Sequence, residues 1–183
     1  MNCVDPIKCH EDIQSMYKLL KTQSERDYLL FKFAIHTGIK LNELLNLTVM
    51  DIFTDNDEVI GYWEMSVDQE IHVILPETLR QELQAYIASE SLAPTDLLFQ
   101  SKKTKKGLSR QQAYRIMHTA ADEVGIPHVG LTTLRKTFAY HTYHSGVPIS
   151  IIQKYLGHQT AQETLKFIGE QQKHAYMKIA LNL

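Results

Sequence analysis

Three short blocks of the sequence carry side chains whose types and spacing suit phosphate chemistry. The blocks are Gly38-Ile39-Lys40, Thr132-Thr133-Leu134-Arg135 and Leu156-Gly157-His158. An arginine can hold two phosphate oxygens at once, a lysine supplies a point charge, and a histidine can donate or accept a proton. Phe167 stands nine positions after His158, and its phenyl ring has no lone pair with which to attack phosphorus.

Helical patterns surround these blocks and would position them. Apolar residues recur at helical spacing over residues 11–20, and Ser24 with Asp27 resembles a capping box that opens a helix ending at Thr37-Gly38. Ser109 is a suitable N-cap for a helix that runs to Glu123. The other predicted helices cover residues 41–47, 77–89, 132–145, 148–156, 161–168 and 171–181.

Strand-like patterns replace the helical ones between the first two blocks. Residues 48–53, 59–65 and 70–75 are strand-like and are separated by polar turns, which predicts a three-stranded antiparallel sheet. A chain of 183 residues without repeats is long enough for one well-cored domain. We therefore expect a single domain over residues 1–183, mainly α with a small three-stranded antiparallel sheet, an α+β fold.

The net charge of −2 conceals a strong division of charge along the chain. Residues 1–40 carry +1, residues 41–100 carry −11, and residues 101–183 carry +8. Such asymmetry bears on the choice of partners rather than on the fold. The sequence has neither a signal-peptide pattern nor an uninterrupted apolar run of membrane-spanning length, so we expect a cytoplasmic protein without a membrane partner.

In order and spacing, the three blocks resemble the catalytic domain of the tyrosine recombinases, or phage integrases. That resemblance implies a site where two arginines hold one DNA phosphate, a hairpin lysine and histidines move protons, and a tyrosine attacks phosphorus. It also implies that the separate N-terminal helical domain of the family is missing from this chain. The matched positions here are Lys40 (first arginine), Ser66 (near the hairpin lysine), Thr132 (histidine), Arg135 (second arginine), His158 (histidine) and Phe167 (tyrosine).

Only Arg135 and His158 keep the residue types that the resemblance implies for catalysis. Lys40 keeps a positive charge without the planar fork of arginine, and no lysine occurs anywhere in residues 41–100. Loss of a general acid costs about 10²–10⁴ in rate, whereas loss of the nucleophile removes the first step altogether. We therefore predict an inactive enzyme, unless Tyr155, Tyr176 or a partner's tyrosine takes over the attack.

The basic part of the chain nevertheless predicts contact with double-stranded DNA. The candidate residues are Lys40, Lys102, Lys103, Lys105, Lys106, Arg110, Arg115, Arg135, Lys136, Lys154 and His158. Plainer alternatives stand beside this hypothesis: a solvated lysine loop, a structural pair of Arg135 with Glu43, a helix-ending His158 and a core-packing Phe167. His141 and His144 lack a third ligand at suitable spacing, so we expect no metal and no cofactor.

Three functional hypotheses follow from these patterns. The first is a catalytically inactive recombinase-like protein, encoded by a phage or prophage, that works as a DNA-associated regulator or accessory factor. The second is a protein-interaction module whose acidic segment, residues 41–100, binds a protein regulator or an active recombinase. The third is an active DNA strand transferase with relocated residues. The resemblance further implies that the apolar stretch 174–183 packs on its own domain or is donated to a neighbouring subunit in a homo-oligomer.

Overall fold

The structure, a computed structural model, describes residues 4–65 and 68–171 of the chain. That part of the molecule is mainly helical, as the sequence predicts. The elements are α1 (His10–Gln23), α2 (Glu25–Thr37), α3 (Leu41–Leu45), β1 (Tyr62–Met65), β2 (Asp68–Ile74), α4 (Glu77–Ser89), α5 (Arg110–Glu123), α6 (Leu131–His144), α7 (Ile149–Leu156) and α8 (Ala161–Phe167).

The helix that ends at Gly38 shows how local sequence fixes the position of the first block. The Ser24 hydroxyl accepts a hydrogen bond from the Asp27 amide at 3.3 Å and begins α2. Gly38 ends it in the left-handed conformation, with a φ of 62°. A Cβ atom at Gly38 would lie 2.2 Å from the Phe138 ring, so the backbone of this turn sits directly against α6. Both the backbone conformation and the close contact require glycine.

The sheet is smaller than the sequence predicts, because the described residues form only a two-stranded antiparallel hairpin, β1 with β2. The expected first strand, residues 48–53, instead contains a 3₁₀ turn, Val49–Asp51. The Asp51 carboxylate accepts hydrogen bonds from the Thr48 amide at 2.8 Å and the Thr48 hydroxyl at 2.6 Å. These local bonds favour the turn over extended pairing, and only isolated bridges such as Phe53 with Val59 remain.

The hydrophobic core is built around α2, whose side chains are buried on almost every side. Leu29, Leu30, Phe31 and Phe33 are fully inaccessible to solvent. The amphipathic faces of the neighbouring helices α1, α4 and α6 cover them. Full burial of each such side chain stabilises the folded state by about 1.5–3 kcal/mol. Helix α2 is therefore the central element of the core.

A second, smaller core joins α7 and α8 to α6. It is formed by Phe138, Ala139, Ile152, Tyr155, Leu156, Leu165 and Ile168. The Phe138 and Tyr155 rings lie 5.2 Å apart between α6 and α7. The Tyr155 hydroxyl donates to the backbone carbonyl of Thr37, so α7 is also tied to the end of α2. The three sequence blocks are brought together by these contacts.

Candidate functional site

A small cleft of about 150 Å³ lies where the beginnings of α3, α5 and α6 meet. Its polar lining consists of Lys40, Arg110, Thr132 and Arg135, and we call it the cationic cleft. The remaining lining residues are apolar and include Ala34, Ile39 and Leu134. No carboxylate is present among the described residues that line it. Positive charges over an apolar floor make this cleft suited to an anion.

Arg135 is held in the cleft by backbone carbonyls rather than by a carboxylate. Its Nε donates to the Gly38 carbonyl at 2.9 Å, and its Nη2 donates to the Leu156 carbonyl at 3.4 Å. Glu43 is close enough to act on Arg135 electrostatically, but the described residues contain no ion pair between them. Burial lowers the pKa of the guanidinium from its ordinary value. The alternative of a structural pair with Glu43 is therefore not what holds Arg135 in place.

His158 lies next to Arg135 at the end of α7. Gly157 ends that helix with a φ of 76°, and the His158 amide then donates to the Gln153 carbonyl at 3.1 Å. The His158 ring contacts the Thr164 hydroxyl through Nδ1 at 2.9 Å. That hydroxyl also lies 3.4 Å from the Thr160 carbonyl at the beginning of α8, so Thr164 connects the His158 ring to that helix. Burial, opposed by Glu163 and assisted by Arg135, lowers the pKa of His158.

Phe167 completes this group on the other side of His158. The two rings lie 5.0 Å apart in an edge-on arrangement. The Lys136 ammonium is 5.4 Å from the centre of the Phe167 ring, and it donates to the Val4 carbonyl at 2.8 Å. Phe167 is half-buried against the smaller core. It therefore packs as a core side chain at the edge of the site, which is the plainer of the two sequence interpretations.

Tyr155 and Tyr176 are the other tyrosines of this chain that the sequence offers as nucleophiles. Tyr155 is buried at 3% exposure, and its hydroxyl is bonded to the Thr37 carbonyl. Burial raises the pKa of this hydroxyl far above its ordinary value, so it stays protonated. Tyr176 and Ser66 lie outside the described residues, as does the stretch 174–183.

The remaining candidate DNA contacts are spread over the surface. Lys102 pairs with Glu90 at 2.7 Å, and Lys154 pairs with Glu70 at 2.6 Å, so two of these cations have acidic partners within the chain. The other exposed candidates are Lys103, Lys105, Lys106 and Arg115. None of these six residues lines the cationic cleft as described. The structure thus groups Lys40, Arg110, Thr132, Arg135, His158 and Phe167, and leaves the lysine loop apart.

A larger cleft of about 630 Å³ lies on the other side of α3, against the hairpin. Its described lining includes Glu43, Asp51 and Glu64 together with Tyr62 and Trp63, and it contains no lysine or arginine. We call it the acidic cleft. The indole Nε1 of Trp63 is buried, and no described residue accepts its proton. The sequence signals an acidic segment, but only the fold brings these particular carboxylates to one concave surface.

The described residues form neither a cluster of metal ligands nor a membrane-spanning helix. Within residues 4–65 and 68–171 no three His, Cys, Asp or Glu side chains are grouped closely enough to bind a metal ion. His141 contacts the Ile7 carbonyl at 2.9 Å and His144 contacts Glu170 at 3.0 Å, so the two histidines serve separate contacts. None of the helices in the described part combines the length and apolar character needed to cross a membrane.

Residues 9–174 match the profile of the phage integrase family. The chain belongs to the phage integrase family. A similar protein of that kind is the probable integrase/recombinase YoeC of Bacillus subtilis (strain 168), which is 34% identical over 169 residues, covering 92% of this chain and 91% of YoeC. The type 1 fimbriae regulatory protein FimE of Escherichia coli (strain K12) is 29% identical over 150 residues, covering 78% of this chain and 73% of FimE.

Longer integrase-family proteins match over part of their length. Tyrosine recombinase XerA of Pyrococcus furiosus is 28% identical over 90% of this chain, which spans 57% of that protein. The crystal structure of a XerA recombinase superimposes with a TM-score of 0.73 at 22% identity, covering 92% of this chain and 60% of the other. XerH bound to its difH substrate gives a TM-score of 0.66 at 22% identity, covering 86% and 49%. These structural matches confirm the tyrosine recombinase catalytic-domain fold.

Proposed function

We propose that this chain is a catalytically inactive phage integrase-family protein that binds double-stranded DNA through the cationic cleft. One observation carries the proposal. Three cationic side chains, Lys40, Arg110 and Arg135, converge on one small cleft without a carboxylate, while a packed phenyl ring stands beside it. The described residues keep the means to hold a phosphate, and Phe167 offers no nucleophile to attack it.

The proposed lack of activity rests on several positions at once. Thr132 is exposed at the mouth of the cleft, and its hydroxyl is a weaker proton-transfer group than a histidine. The buried hydroxyl of Tyr155 is engaged by a carbonyl and cannot reach a phosphate without unfolding its surroundings. An active strand transferase with relocated residues is the less favoured hypothesis for this reason.

The proposed role is that of a DNA-associated regulator or accessory factor encoded by a phage or prophage and acting in the bacterial cytoplasm. The name of one relative, a type 1 fimbriae regulatory protein, supports a regulatory role within this family. XerH was crystallised with its DNA substrate, which supports DNA as the partner of the shared fold. A domain of this size would gain affinity by acting in pairs, and residues 174–183 are the proposed route to a homo-oligomer. Light scattering with and without those residues tests that route.

A titration of mixed-sequence duplex DNA by fluorescence anisotropy tests the proposal directly. We expect binding that weakens between about 50 mM and about 200 mM salt, with a logarithmic slope of about −0.9 for each phosphate contacted. The protein should also leave no covalent protein–DNA product on a nicked suicide duplex. Absence of binding at the lower salt would refute the DNA role, and a covalent product would refute the inactivity.

The acidic cleft favours a second candidate function, a protein-interaction module that modulates a regulator or an active recombinase. The three carboxylates of its lining, Glu43, Asp51 and Glu64, suit a basic protein segment better than DNA. Duplex DNA would meet repulsion there of about 1 kcal/mol per close charge pair in water. If the titration shows no DNA binding at low salt, this second function becomes the preferred one.

A further inference from the structure

Arg110 lines the cationic cleft together with Arg135, although the two arginines come from different helices. Arg110 is the first residue of α5, and its backbone is fixed by a reciprocal cap. The Ser109 hydroxyl accepts from the Gln112 amide at 3.1 Å, and the Gln112 side chain accepts from the Ser109 amide at 2.8 Å. These bonds fix the backbone at the beginning of α5, and the Arg110 side chain extends from there to α3.

The guanidinium of Arg110 is oriented by one neutral partner. Its Nη1 donates to the Asn42 side-chain oxygen at 3.2 Å. Among the described residues no other acceptor and no carboxylate binds this group. Since an arginine has five N–H donors, most of the fork remains open to an anion in the cleft. Asn42 orients the fork without neutralising its charge.

Lys40 contributes charge to the same cleft but in a different form. It is exposed at the N-cap of α3, and its ammonium is a flexible, strongly hydrated point charge. A lysine cannot make the two parallel hydrogen bonds by which arginine fixes a phosphate. The volume of about 150 Å³ equals that of about five water molecules, which is room for one phosphate group. An ordered phosphate there needs a second fork beside that of Arg135.

We propose that Arg110 supplies this second guanidinium, so that a backbone phosphate of duplex DNA is held between Arg110 and Arg135 while Lys40 adds only charge. The proposal rests on the DNA-binding function proposed above and names the groups that make it specific for a phosphate. Asn42 is the positioning residue, because it directs the Arg110 fork across the cleft.

Arg115 offers a matched control on the same helix. It is exposed, carries the same charge, and does not line the cleft. The experiment compares Arg110→Ala, Arg110→Lys, Asn42→Ala and Arg115→Ala in anisotropy titrations against one duplex at two salt concentrations. Thermal melts of each variant confirm that the exposed substitutions leave the fold intact.

We expect Arg110→Ala to weaken binding about tenfold or more, because it removes charge-assisted hydrogen bonds to the phosphate. Arg110→Lys should lose nearly as much, because the charge without the fork is insufficient. Asn42→Ala should cost a few-fold, and Arg115→Ala less than about threefold, as for an exposed charge.

Two results would overturn the assignment of Arg110. One is an equal loss for Arg110→Ala and Arg115→Ala, and the other is full binding by Arg110→Lys. Either result leaves the DNA-binding function standing, because the unsubstituted protein still binds. Failure of the unsubstituted protein to bind DNA at low salt would instead remove the function on which this inference rests.

Discussion

The cationic and acidic clefts lie on opposite sides of one short helix and carry opposite charge. Lys40 and Leu44 of the α3 region line the first, whereas Glu43 and Asn46 line the second. Successive residues of a helix point in different directions, so neighbours in sequence serve different surfaces. The net charge of −2 is therefore an average over two surfaces that suit different partners.

The contrast also restricts how DNA can lie on the protein. A phosphate over the cationic cleft gains from Arg110 and Arg135, while one over the hairpin side meets Glu64 and Asp51. The field between the clefts falls off over a Debye length of about 8 Å at physiological salt. DNA is therefore expected to approach from the α5–α6 side and to keep clear of the hairpin.

Removal of the Arg135 side chain should have the largest effect on DNA binding and stability, because it takes charge from the cationic cleft and leaves the acidic cleft unchanged. Arg135→Ala takes away a phosphate ligand and two charge-assisted hydrogen bonds to the Gly38 and Leu156 carbonyls. We expect DNA binding to fall about a hundredfold and stability by about 2–4 kcal/mol, which lowers Tm by about 5–15 °C. Anisotropy and thermal melts measure the two effects. An unchanged Tm would contradict the carbonyl-anchoring role, and unchanged DNA binding would contradict the phosphate role.

Substitution of Gly38 should destabilise the turn between α2 and α3, which lies beside the cationic cleft. Gly38→Ala combines a positive φ with a contact of 2.2 Å to the buried Phe138 ring, so we expect a loss of about 3 kcal/mol or more. Gly125→Ala is the control, because its φ is 77° but no atom lies within 4 Å of the added Cβ. That variant should lose only about 1 kcal/mol in a denaturant titration. Equal losses would mean that the Phe138 contact is unimportant.

Acidification should strengthen the cationic cleft, because the pKa of His158 is held below its ordinary value in the free protein. Protonation makes the imidazole cationic with both ring nitrogens as donors, and a bound phosphate favours that form. DNA binding should therefore rise a few-fold between about pH 8 and about pH 6, and His158→Gln should abolish the rise. His118→Gln is the control, since His118 pairs with Asp122 on α5, whereas His158 is acted on electrostatically by Arg135. A rise that persists in His158→Gln would assign it elsewhere.

Stability must be followed in the same pH series, because His36 has the opposite effect. Its pKa is lowered by burial, so the folded protein binds fewer protons at this site than the unfolded chain. Neutral His36 makes its full contribution to the stability of the fold above the unfolded-state pKa of about 6.5. That stability is lost as the pH falls through the pKa of His36 in the folded protein. Tighter binding together with a lower Tm is the expected combination in mild acid.

Neutralising Glu43 should change DNA affinity less, and it tests whether a carboxylate of the acidic cleft affects binding at the cationic cleft. Glu43 lines the acidic cleft and attracts Arg135 electrostatically without an ion pair. Glu43→Gln should strengthen DNA binding by about two- to fivefold, because about 1 kcal/mol of nearby repulsion is removed. Asp55→Asn, in an exposed turn, is the matched control and should change binding little. Equal gains would indicate a general charge effect.

The features that the sequence predicted correctly are those whose causes are local. Ser24, Gly38 and Ser109 begin or end helices through bonds within a few residues of themselves, so their patterns were sufficient. The predicted strand at residues 48–53 was wrong, because Thr48 and Asp51 form a local cap there. That signal is present in the sequence but was outweighed by the β-type residues around it. Local signals of both kinds compete, and hydrogen bonding at a cap can decide the outcome.

The composition of the candidate site depended instead on contacts distant in sequence. Arg110 and Arg115 look alike in the chain, yet only Arg110 lines the cationic cleft. Lys102 and Lys154 were grouped with the other cations, but each is paired with an acid far from it in the sequence. Such pairings depend on how loops, strands and helices pack together, and no short sequence pattern predicts them. The resemblance placed Lys40, Arg135 and His158 at a common site, whereas packing alone shows that Arg110 joins it.

The smallest expected effect is that of Phe167→Tyr, which should restore no DNA cutting. The new hydroxyl would lie beside His158 and Lys136, but Lys40 and Thr132 would remain where the resemblance implies an arginine and a histidine. Loss of one transition-state donor costs about 10²–10³ in rate, and loss of a general acid about 10²–10⁴. A nicked suicide duplex followed by denaturing electrophoresis should show no covalent band, while DNA affinity stays unchanged. A band from this single variant would mean that the phenyl ring alone separates this protein from an active recombinase.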